Sequence, residues 1–460
     1  MFSSIIVSMN RTLFFIKKII PKRLFKILQP IYHYVLNFIA ALAFGFPSNQ
    51  LTVIGVTGTT GKTTVVYMTA ELLKYAGKRV GYTSTAMFSD GKNEWLNDKK
   101  MTMLGRFFTQ RMLRKMVQNG CDVAIVETTS EGIIQYRHRF INYDTVVFTG
   151  LYSEHIDSHG SFEDYKKAKQ KLFVHVGRCK KKYICGRKDY KTIIVNLDDE
   201  HVQDFLKFDA DYKLGFTQNL DTQVVDSSVE KIEYRYKGVN KQGIYFTFGE
   251  KYIQMYIFGE FNAMNAAAAG CIGKTLGLNE HTIKVGLEKI RSLPGRIERI
   301  DGGQNFTVIV DYAFEPVAVA KLYETIAVLE PKKIIHVLGS CGGGRDVIRR
   351  AELGRIAGQK ADYVIVTNED PYDDDPMEII KNVANGAKEK GKVENKTLFI
   401  IEDRRNAIKK AISLAKENDI VLITGKGSEQ AIAVQNGRLI PWDDRMVVKK
   451  ILIDKQVKRC

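Results

Sequence analysis

Several things are missing from this sequence, and each absence argues against a class of function. There is no paired-cysteine motif. Cys121, Cys179, Cys185, Cys271, Cys341 and Cys460 are scattered, with no C-x-x-C and no His-rich neighbour. A zinc site and a disulfide framework are therefore disfavoured, and reduced thiols in a cytosolic protein are expected. No small-residue cleavage site follows the apolar N-terminus, which argues against a secretory signal. No apolar run is clean enough to read as a bilayer span. The longest stretch without Lys, Arg, Asp or Glu, from Ile27 to the Gln50 region, is interrupted by Gln, Pro, His and Asn. No internal repeat, low-complexity tract or long flexible linker is present. Nucleic-acid binding is set aside, because no recognition motif or aromatic-interleaved basic patch accompanies the positive charge.

What is present is a chain of 460 residues, too long for one ordinary core, so two or three domains are expected. Apolar content of 45% and charged content of 26% are ordinary for a globular protein. The formal net charge of +17 points to anionic partners: a nucleotide, an anionic lipid surface or nucleic acid. The N-terminal stretch "NRTLFFIKKIIPKRLFKILQPIYHYVLNFIAALAFGF" mixes Lys and Arg with Phe, Ile, Leu and Tyr. A basic amphipathic segment lying on an anionic leaflet fits this mixture. A helix packed on the protein body is the alternative, and a true span is the least suited of the three.

After Phe46-Pro47-Ser48 the pattern changes. "LTVIGVT", "RVGYTST", "DVAIVETT", "TVVFTGL" and "TIIVNL" are apolar runs of strand length, with helical segments such as "KTTVVYMTAELLKYAG" between them. This βαβ rhythm implies a mostly parallel sheet covered on both faces. Residues 210–258 alternate in short runs and suggest antiparallel strands, followed by a small-residue helix, "NAMNAAAAGCIGKTLGL". "SLPGRIERI" carries a Pro-Gly break and marks a candidate domain boundary. From about residue 300, "FTVIVDYA", "KKIIHVLGS", "ADYVIVTNED", "KTLFIIED" and "DIVLITGKG" form a second α/β rhythm, that of a small doubly wound domain. The expected organisation is a helical segment over 1–48, a central P-loop ATPase domain over 49–294 and a Rossmann-like C-terminal domain over 295–460.

The stretch "GVTGTTGKTT" follows the first strand run. Strand, glycine-rich turn and a Lys-Thr that opens a helix make a phosphate loop. Its glycines let backbone N–H groups converge on phosphate oxygens, and the helix N-terminus adds its dipole. Gly58, Thr59, Thr60, Gly61, Lys62, Thr63 and Thr64 are the nucleotide-binding candidates, with Lys62 on the β/γ phosphates and Thr63 on Mg²⁺. One detail departs from G-x-x-x-x-G-K-[ST]: Val56 stands where that pattern has its first glycine.

The variant T-G-T-x-G-K-T resembles the ATP loop of the Mur ligase superfamily, which includes the folylpolyglutamate synthases. "VETTSEG", "EHIDSHGSFEDYKKAKQKLF", "FGEFNAMNAAAA", "LPGRIERI", "VDYAFEPVAV", "GGGRD", "TNEDPYDDDP" and "GKGSEQAI" follow in the superfamily's order, over about 49 to 450. The similarity is greatest to the MurE branch. It implies an ATP-dependent amide ligase of peptidoglycan biosynthesis that adds an amino acid to a muramyl-peptide carboxylate through an acyl phosphate. A folylpolyglutamate synthase-like or other non-cell-wall amino-acid ligase is the alternative. A nucleotide-binding scaffold without activity is a third reading, opposed by the retained Lys62, Glu127, His155 and Lys169.

The resemblance also implies roles. Glu127, at the end of the strand run "DVAIVE", and His155, in "SEHIDSHG", would ligate two Mg²⁺, with His159 as loop support. Lys169, in Y-x-x-A-K, would be carbamylated by CO₂ and so become a carboxylate-like metal ligand. Asn265 would contact adenine, or else cap its helix. Arg296 and Asp311 would touch phosphate and ribose from the C-terminal domain. Arg137 would contact the muramyl-peptide. Arg345 would hold the incoming amino acid's α-carboxylate, and Glu429 its amine.

Some positions differ from the family pattern. Glu369-Asp370-Pro371-Tyr372 stands where diaminopimelate-adding enzymes have D-N-P-R, so Tyr372 replaces the arginine that holds a distal carboxylate, with Asp370 and Tyr372 as candidate contacts of the amino acid. Tyrosine makes no bidentate pair with a carboxylate. The following Asp373, Asp374 and Asp375 favour a basic or neutral amino acid, such as lysine, or form only a solvated loop. Ser428 replaces a His, Glu131 replaces a His, and Phe314-Glu315 replaces His-Thr. About 48 residues precede the first strand, too few for the family's uridine-binding domain. A differently held UDP end or a lipid-linked donor is expected, with a cytoplasmic monomer whose residues 1–46 are a candidate for peripheral contact with the inner face of the membrane.

Overall fold

The structure, a computed structural model, describes residues 22–99, 101–152, 161–184, 187–344 and 347–457. It opens with helix α1 (Lys22–Ala43), and a short 3₁₀ turn over Pro47–Gln50 leads into the first strand. The central sheet is built from β1 (Thr52–Thr57), β2 (Val80–Thr83), β3 (Met87–Ser89), β4 (Glu94–Leu96), β5 (Val123–Glu127) and β6 (Thr145–Phe148). A two-residue hairpin, β7 (Tyr183–Ile184) and β8 (Arg187–Lys188), stands apart from it. β9 (Thr192–Asn196), β10 (Tyr212–Thr217), β11 (Glu230–Asn240), β12 (Gly243–Phe248) and β13 (Lys251–Met255) complete the sheet. Its order is β13-β12-β11-β10-β9-β6-β1-β5-β2-β3-β4. From β11 through β2 neighbours are parallel, and antiparallel hairpins close both edges. The expected antiparallel block over 210–258 therefore needs a correction: β10 pairs parallel with both β9 and β11, and only β11–β13 form the meander. Alternation marks one solvated face, and it says nothing about the direction of a neighbouring strand.

Every residue of β1, β5, β6 and β9 is buried, as parallel strands covered on both faces must be. One face carries α2 (Lys62–Tyr75), later joined by α7 (Phe261–Thr275) and α8 (Glu280–Glu288). The other carries α3 (Arg106–Gln118) and α5 (Phe162–Gly177). Two short helices, α4 (Ser130–Ile134) and α6 (Gln203–Leu206), lie in connecting segments. The alanines of α7, Ala266–Ala269, are fully buried, so this helix can approach α2 closely.

The second sheet has the order β14-β15-β19-β16-β17-β18, with β14 (Glu298–Arg299) antiparallel to its neighbour. Its parallel strands are β15 (Thr307–Val310), β16 (Ile334–Leu338), β17 (Tyr363–Val366), β18 (Leu398–Ile400) and β19 (Ile420–Ile423), at the places of the five apolar runs. They alternate with α9 (Pro316–Ala327), α10 (Ile348–Lys360), α11 (Pro376–Glu389) and α12 (Arg404–Leu414). A hairpin, β20 (Ala431–Val434) and β21 (Arg438–Pro441), and α13 (Asp444–Val457) complete the chain. Apolar cores lie on both faces of this sheet, the doubly wound arrangement.

Candidate active site at the phosphate loop

β1 runs into the loop Gly58–Gly61, and α2 leaves it at Lys62. Two glycines allow the turn. Gly58 has φ +153°, and a Cβ there would fall 2.0 Å from Thr149 Oγ1. Gly61 has φ +80°, and a Cβ there would fall 2.4 Å from Asn265 Oδ1. Any other residue would fill the cradle and strain the backbone. The walls hold the loop in place. Thr149 Oγ1 donates to Thr60 O at 2.6 Å, Thr59 N donates to Gly150 O at 2.8 Å, and Tyr165 Oη donates to Thr59 Oγ1 at 3.2 Å.

Lys62 heads α2 and bends its Nζ over the turn, donating to Gly58 O at 3.1 Å and Thr59 O at 2.7 Å. Thr63 Oγ1 donates to both oxygens of Glu127, at 3.1 and 3.0 Å. Sheet register makes this contact: β5 pairs with β1 so that Glu127 lies beside Val56, at the mouth of the loop. Glu127 is 1% exposed and also accepts from Thr85 N at 2.8 Å and Thr85 Oγ1 at 2.9 Å. Lys169 lies on α5, whose start is fixed by Ser161 Oγ accepting from Asp164 N. Its side chain is 1% exposed, with Nζ donating to Gly58 O at 2.7 Å and lying over the Tyr165 ring. Of the basic residues around it, this one turns inward onto the turn, so a solvated role is excluded.

The oxygen set of Thr63 and Glu127 suits a hard cation such as Mg²⁺. Among the described residues no group of three or more His, Cys, Asp or Glu side chains could hold a metal ion. His155 and His159 lie outside the described residues, and so does Arg345.

Asn265 sits inside α7, one turn past its start, so it is no helix cap; Glu260 holds that position. Its Nδ2 donates to Asn262 Oδ1 at 3.0 Å, and its Oδ1, aimed at Gly61, is buried with no hydrogen-bond partner. Such an orphaned acceptor beside the turn fits a ligand donor. Arg296 stacks its guanidinium 4.3 Å from the Tyr312 ring centre, and it lines a small cleft with Thr63, Thr64, Tyr67, Ser84 and Pro294. The linker and the phosphate loop thus share one cleft. Asp311 is buried, and burial pushes its carboxyl above the usual carboxylate range. It accepts from Ile297 N at 2.7 Å and Ala313 N at 2.6 Å, pinning Ile297 with φ +48°.

Arg137 lies in the segment after α4. It donates to Met103 O and to Gln135 Oε1 at 2.6 Å, and burial first, then the Arg106 charge, lowers its pKa. On the second sheet, Lys426 is fully buried and donates to both oxygens of Asp370 at 3.0 Å and to Glu429. Tyr372 adopts φ +53° and puts its ring against Gly343. The acidic run is largely engaged by the protein itself: Asp373 accepts from Asn436 N, Asp374 from Arg350 Nη2, and Asp375 caps α11 through Met377 N.

Three site residues escaped the sequence reading. Thr85 follows β2 in "TSTA" and is legible only as a strand-end hydroxyl. Lys426 stands in the quoted "GKGSE" but is recognisable as a counter-charge only once its two carboxylates are seen. Arg349 donates to Glu315 Oε1 at 2.7 Å and lies over the Phe314 ring. It therefore answers both residues that replace His-Thr.

The Mur ligase middle domain pattern matches residues 56–273, and the pattern described as Mur ligase, glutamate ligase domain, matches residues 295–427. A UDP-N-acetylmuramyl-tripeptide synthetase of Borreliella burgdorferi is 37% identical over 412 residues, 88% of this chain and 77% of the relative. A UDP-N-acetylmuramoyl-L-alanyl-D-glutamate–2,6-diaminopimelate ligase of Halalkalibacterium halodurans is 31% identical over 91% of this chain and 81% of its own. A solved structure carrying that same ligase name superposes with a TM-score of 0.59 at 26% identity, over 88% of this chain and 79% of that one.

Proposed function

The chain belongs to the Mur ligase family and is an ATP-dependent ligase of the peptidoglycan-precursor type, and we propose that it joins one amino acid to a muramyl-peptide carboxylate in the manner of the MurE branch. The observation that carries this reading is the Thr63–Glu127 contact at the head of a turn that tolerates no Cβ at Gly58 or Gly61.

The reaction has to bring two anions together. The γ-phosphoryl group of ATP passes to the donor carboxylate, the amino acid's amine attacks the acyl phosphate, and inorganic phosphate leaves. The loop's backbone N–H groups and the start of α2 hold the β/γ phosphates. Lys62 swings from its carbonyls to the phosphate oxygens and offsets their charge. Thr63 and Glu127 would hold Mg²⁺, which would supply positive charge to offset that of the phosphates. Thr85, by its two bonds, keeps the Glu127 carboxylate oriented toward the loop. Lys169, as its neutral amine, is proposed to take up CO₂ at Nζ, forming the N–C bond and releasing one N–H proton to solvent. The resulting carbamate would serve, with His155, a second Mg²⁺.

Arg296 and Asp311 are proposed to meet phosphate and ribose, Asn265 the adenine, and Arg137 the muramyl-peptide. Arg345, Asp370, Tyr372 and Glu429 are proposed to form the amino-acid pocket. Lys426 neutralises much of the negative charge there, which weakens the case for a cationic acceptor. The division at 48/49 and 294/295 belongs to the same proposal, as do a monomeric state and a place at the cytoplasmic side of the membrane, touched through residues 1–46.

The test is ADP release from ATP with UDP-linked muramyl dipeptide across a panel of amino acids. One amino acid should raise release well above the panel's background, with the ligated tripeptide in the products. ADP release with a folate acceptor instead would overturn the cell-wall reading.

A further inference from the structure

We propose that the outer face of α1 docks on an anionic bilayer, and that the carboxylate donor is a muramyl-peptide whose diphosphate end is anchored in that bilayer. The donor half of this proposal rests on the ligase reading; the docking half does not.

α1 has two different faces. On the inner one Asn37, Ala40 and Ala41 are buried. Asn37 Nδ2 donates to Gln135 O at 3.3 Å, and Arg106 Nη2 donates to His33 Nδ1 at 2.6 Å. Tyr34 lies edge-on to Tyr136 and Phe140, and Phe38 edge-on to Phe140. Tyr136 (φ +57°) and Phe140 (φ +61°) are both left-handed, a costly backbone for bulky aromatics that persists only where the surroundings impose it. Tyr136 takes it where α4 ends, with Tyr136 N donating to Ile133 O and Arg137 N to Gly132 O, and the rings on α1 pack against the result. This segment contains Arg137, the proposed donor contact, so α1 is packed directly against the donor side.

The outer face is apolar and, among the described residues, uncovered. Ile31 is 60% exposed, Val35 45%, Ile39 44% and Leu42 58%, at a spacing that aligns them along one side of the helix. No described helix is long and apolar enough to cross a membrane. Charge selects the occupant. Lys22, Arg23 and Lys26 stand at the start of α1, and its first turn has no acidic residue. Arg11, Lys17 and Lys18 precede them in sequence, and no Asp or Glu occurs before Glu71. A cationic segment beside an apolar stripe matches anionic headgroups above acyl chains. A second copy of the chain would set like charges against each other. With α1 lying in the interface, the donor segment sits about one helix diameter, roughly 10–12 Å, from the lipid. A sugar and two residues can bridge that distance, so the carboxylate can reach the loop while the diphosphate end stays in the bilayer.

The test uses the full chain and a variant carrying Ile31→Ser, Val35→Ser, Ile39→Ser and Leu42→Ser, none of them in the catalytic machinery. The parent should float with vesicles of phosphatidylglycerol and phosphatidylcholine but not with phosphatidylcholine alone. The variant should lose at least about tenfold in partitioning, with its thermal midpoint kept. A vesicle-embedded, polyprenyl-diphosphate-linked muramyl dipeptide should be turned over by the parent with a higher kcat/KM than the UDP-linked form, and the variant should lose this preference. Equal flotation of parent and variant, or a stripe that drives a concentration-dependent dimer with no flotation, overturns the docking surface. Flotation as expected with equal kcat/KM on both donors overturns the anchored donor. Flotation as expected with no ADP release on either donor overturns the ligase reading and leaves the docking surface standing.

Discussion

Lys169 Nζ lies 2.7 Å from Gly58 O and its side chain is buried, so its replacement touches both the loop and the proposed second metal. Lys169→Ala is expected to lower kcat by about a hundredfold or more, the scale of a lost electrostatic element in an active site. Formate or acetate should restore part of it by standing in for the carbamate. A variant with parental kcat, or one that no short carboxylate rescues, removes the carbamate. Neighbouring sequence could single out this lysine only through the family pattern. Burial distinguishes it physically, because the other lysines on its helix remain at least partly in water.

Two elements carry predictions of their own. α10 and α11 cross at glycines: a Cβ on Gly354 would fall 1.9 Å from Val383 O, and one on Gly386 would fall 2.0 Å from Ala351 O. Gly354→Ala must push the helices apart, at about 1–3 kcal/mol, the usual cost of overpacking. A thermal midpoint equal to that of the parent would contradict this. α5 carries His175, which donates from Nε2 to Ile141 O at 2.9 Å and packs edge-on against His138. Burial, and then the charges of Arg139, Lys191 and Arg178 against the opposing pull of the Ile141 carbonyl, bring His175 down from 6.5 to about 4. Burial likewise holds His138 well below its ordinary value, with His175, Arg139 and Lys171 adding to it. Because the folded pKa is depressed, the unfolded chain binds protons first as pH falls. The stabilisation is full above pH 6.5 and is lost progressively toward pH 4. The urea midpoint should fall between pH 7 and pH 5, and His175→Gln should flatten that dependence. An unchanged slope in the variant would assign the acid sensitivity elsewhere.

For the molecule as a whole, the linker between the two sheets is the part that must behave as a hinge if ATP is gripped from both sides. Arg296 shares its cleft with Thr63 and Thr64, while Asp311 fixes the next residue, Ile297, to the second sheet. Arg296→Ala is expected to raise KM for ATP by about tenfold, a charged hydrogen bond's worth. The thermal midpoint should move far less than KM, since among the described residues Arg296 makes no salt bridge and acts on the buried Asp311 only through its charge. A lower midpoint with unchanged KM would make Arg296 a structural residue and separate closure from nucleotide binding.

The phosphate turn, the two strand-and-helix rhythms, the small-residue helix and the chemistry of the N-terminus were legible in the chain by itself. Each depends on neighbours a few residues apart: glycine at left-handed φ, apolar residues at strand or helix spacing, cations clustered in one segment. Tertiary structure decided the rest. The β1–β5 register, not any local signal, brings Glu127 to Thr63. Packing turns Lys169 inward, lets Lys426 neutralise Asp370 and Glu429, and divides α1 into a face packed on the segment after α4 and a face left exposed. Charges and hydrophobic faces act through whatever lies within a few ångströms, and those neighbours come from distant parts of the chain.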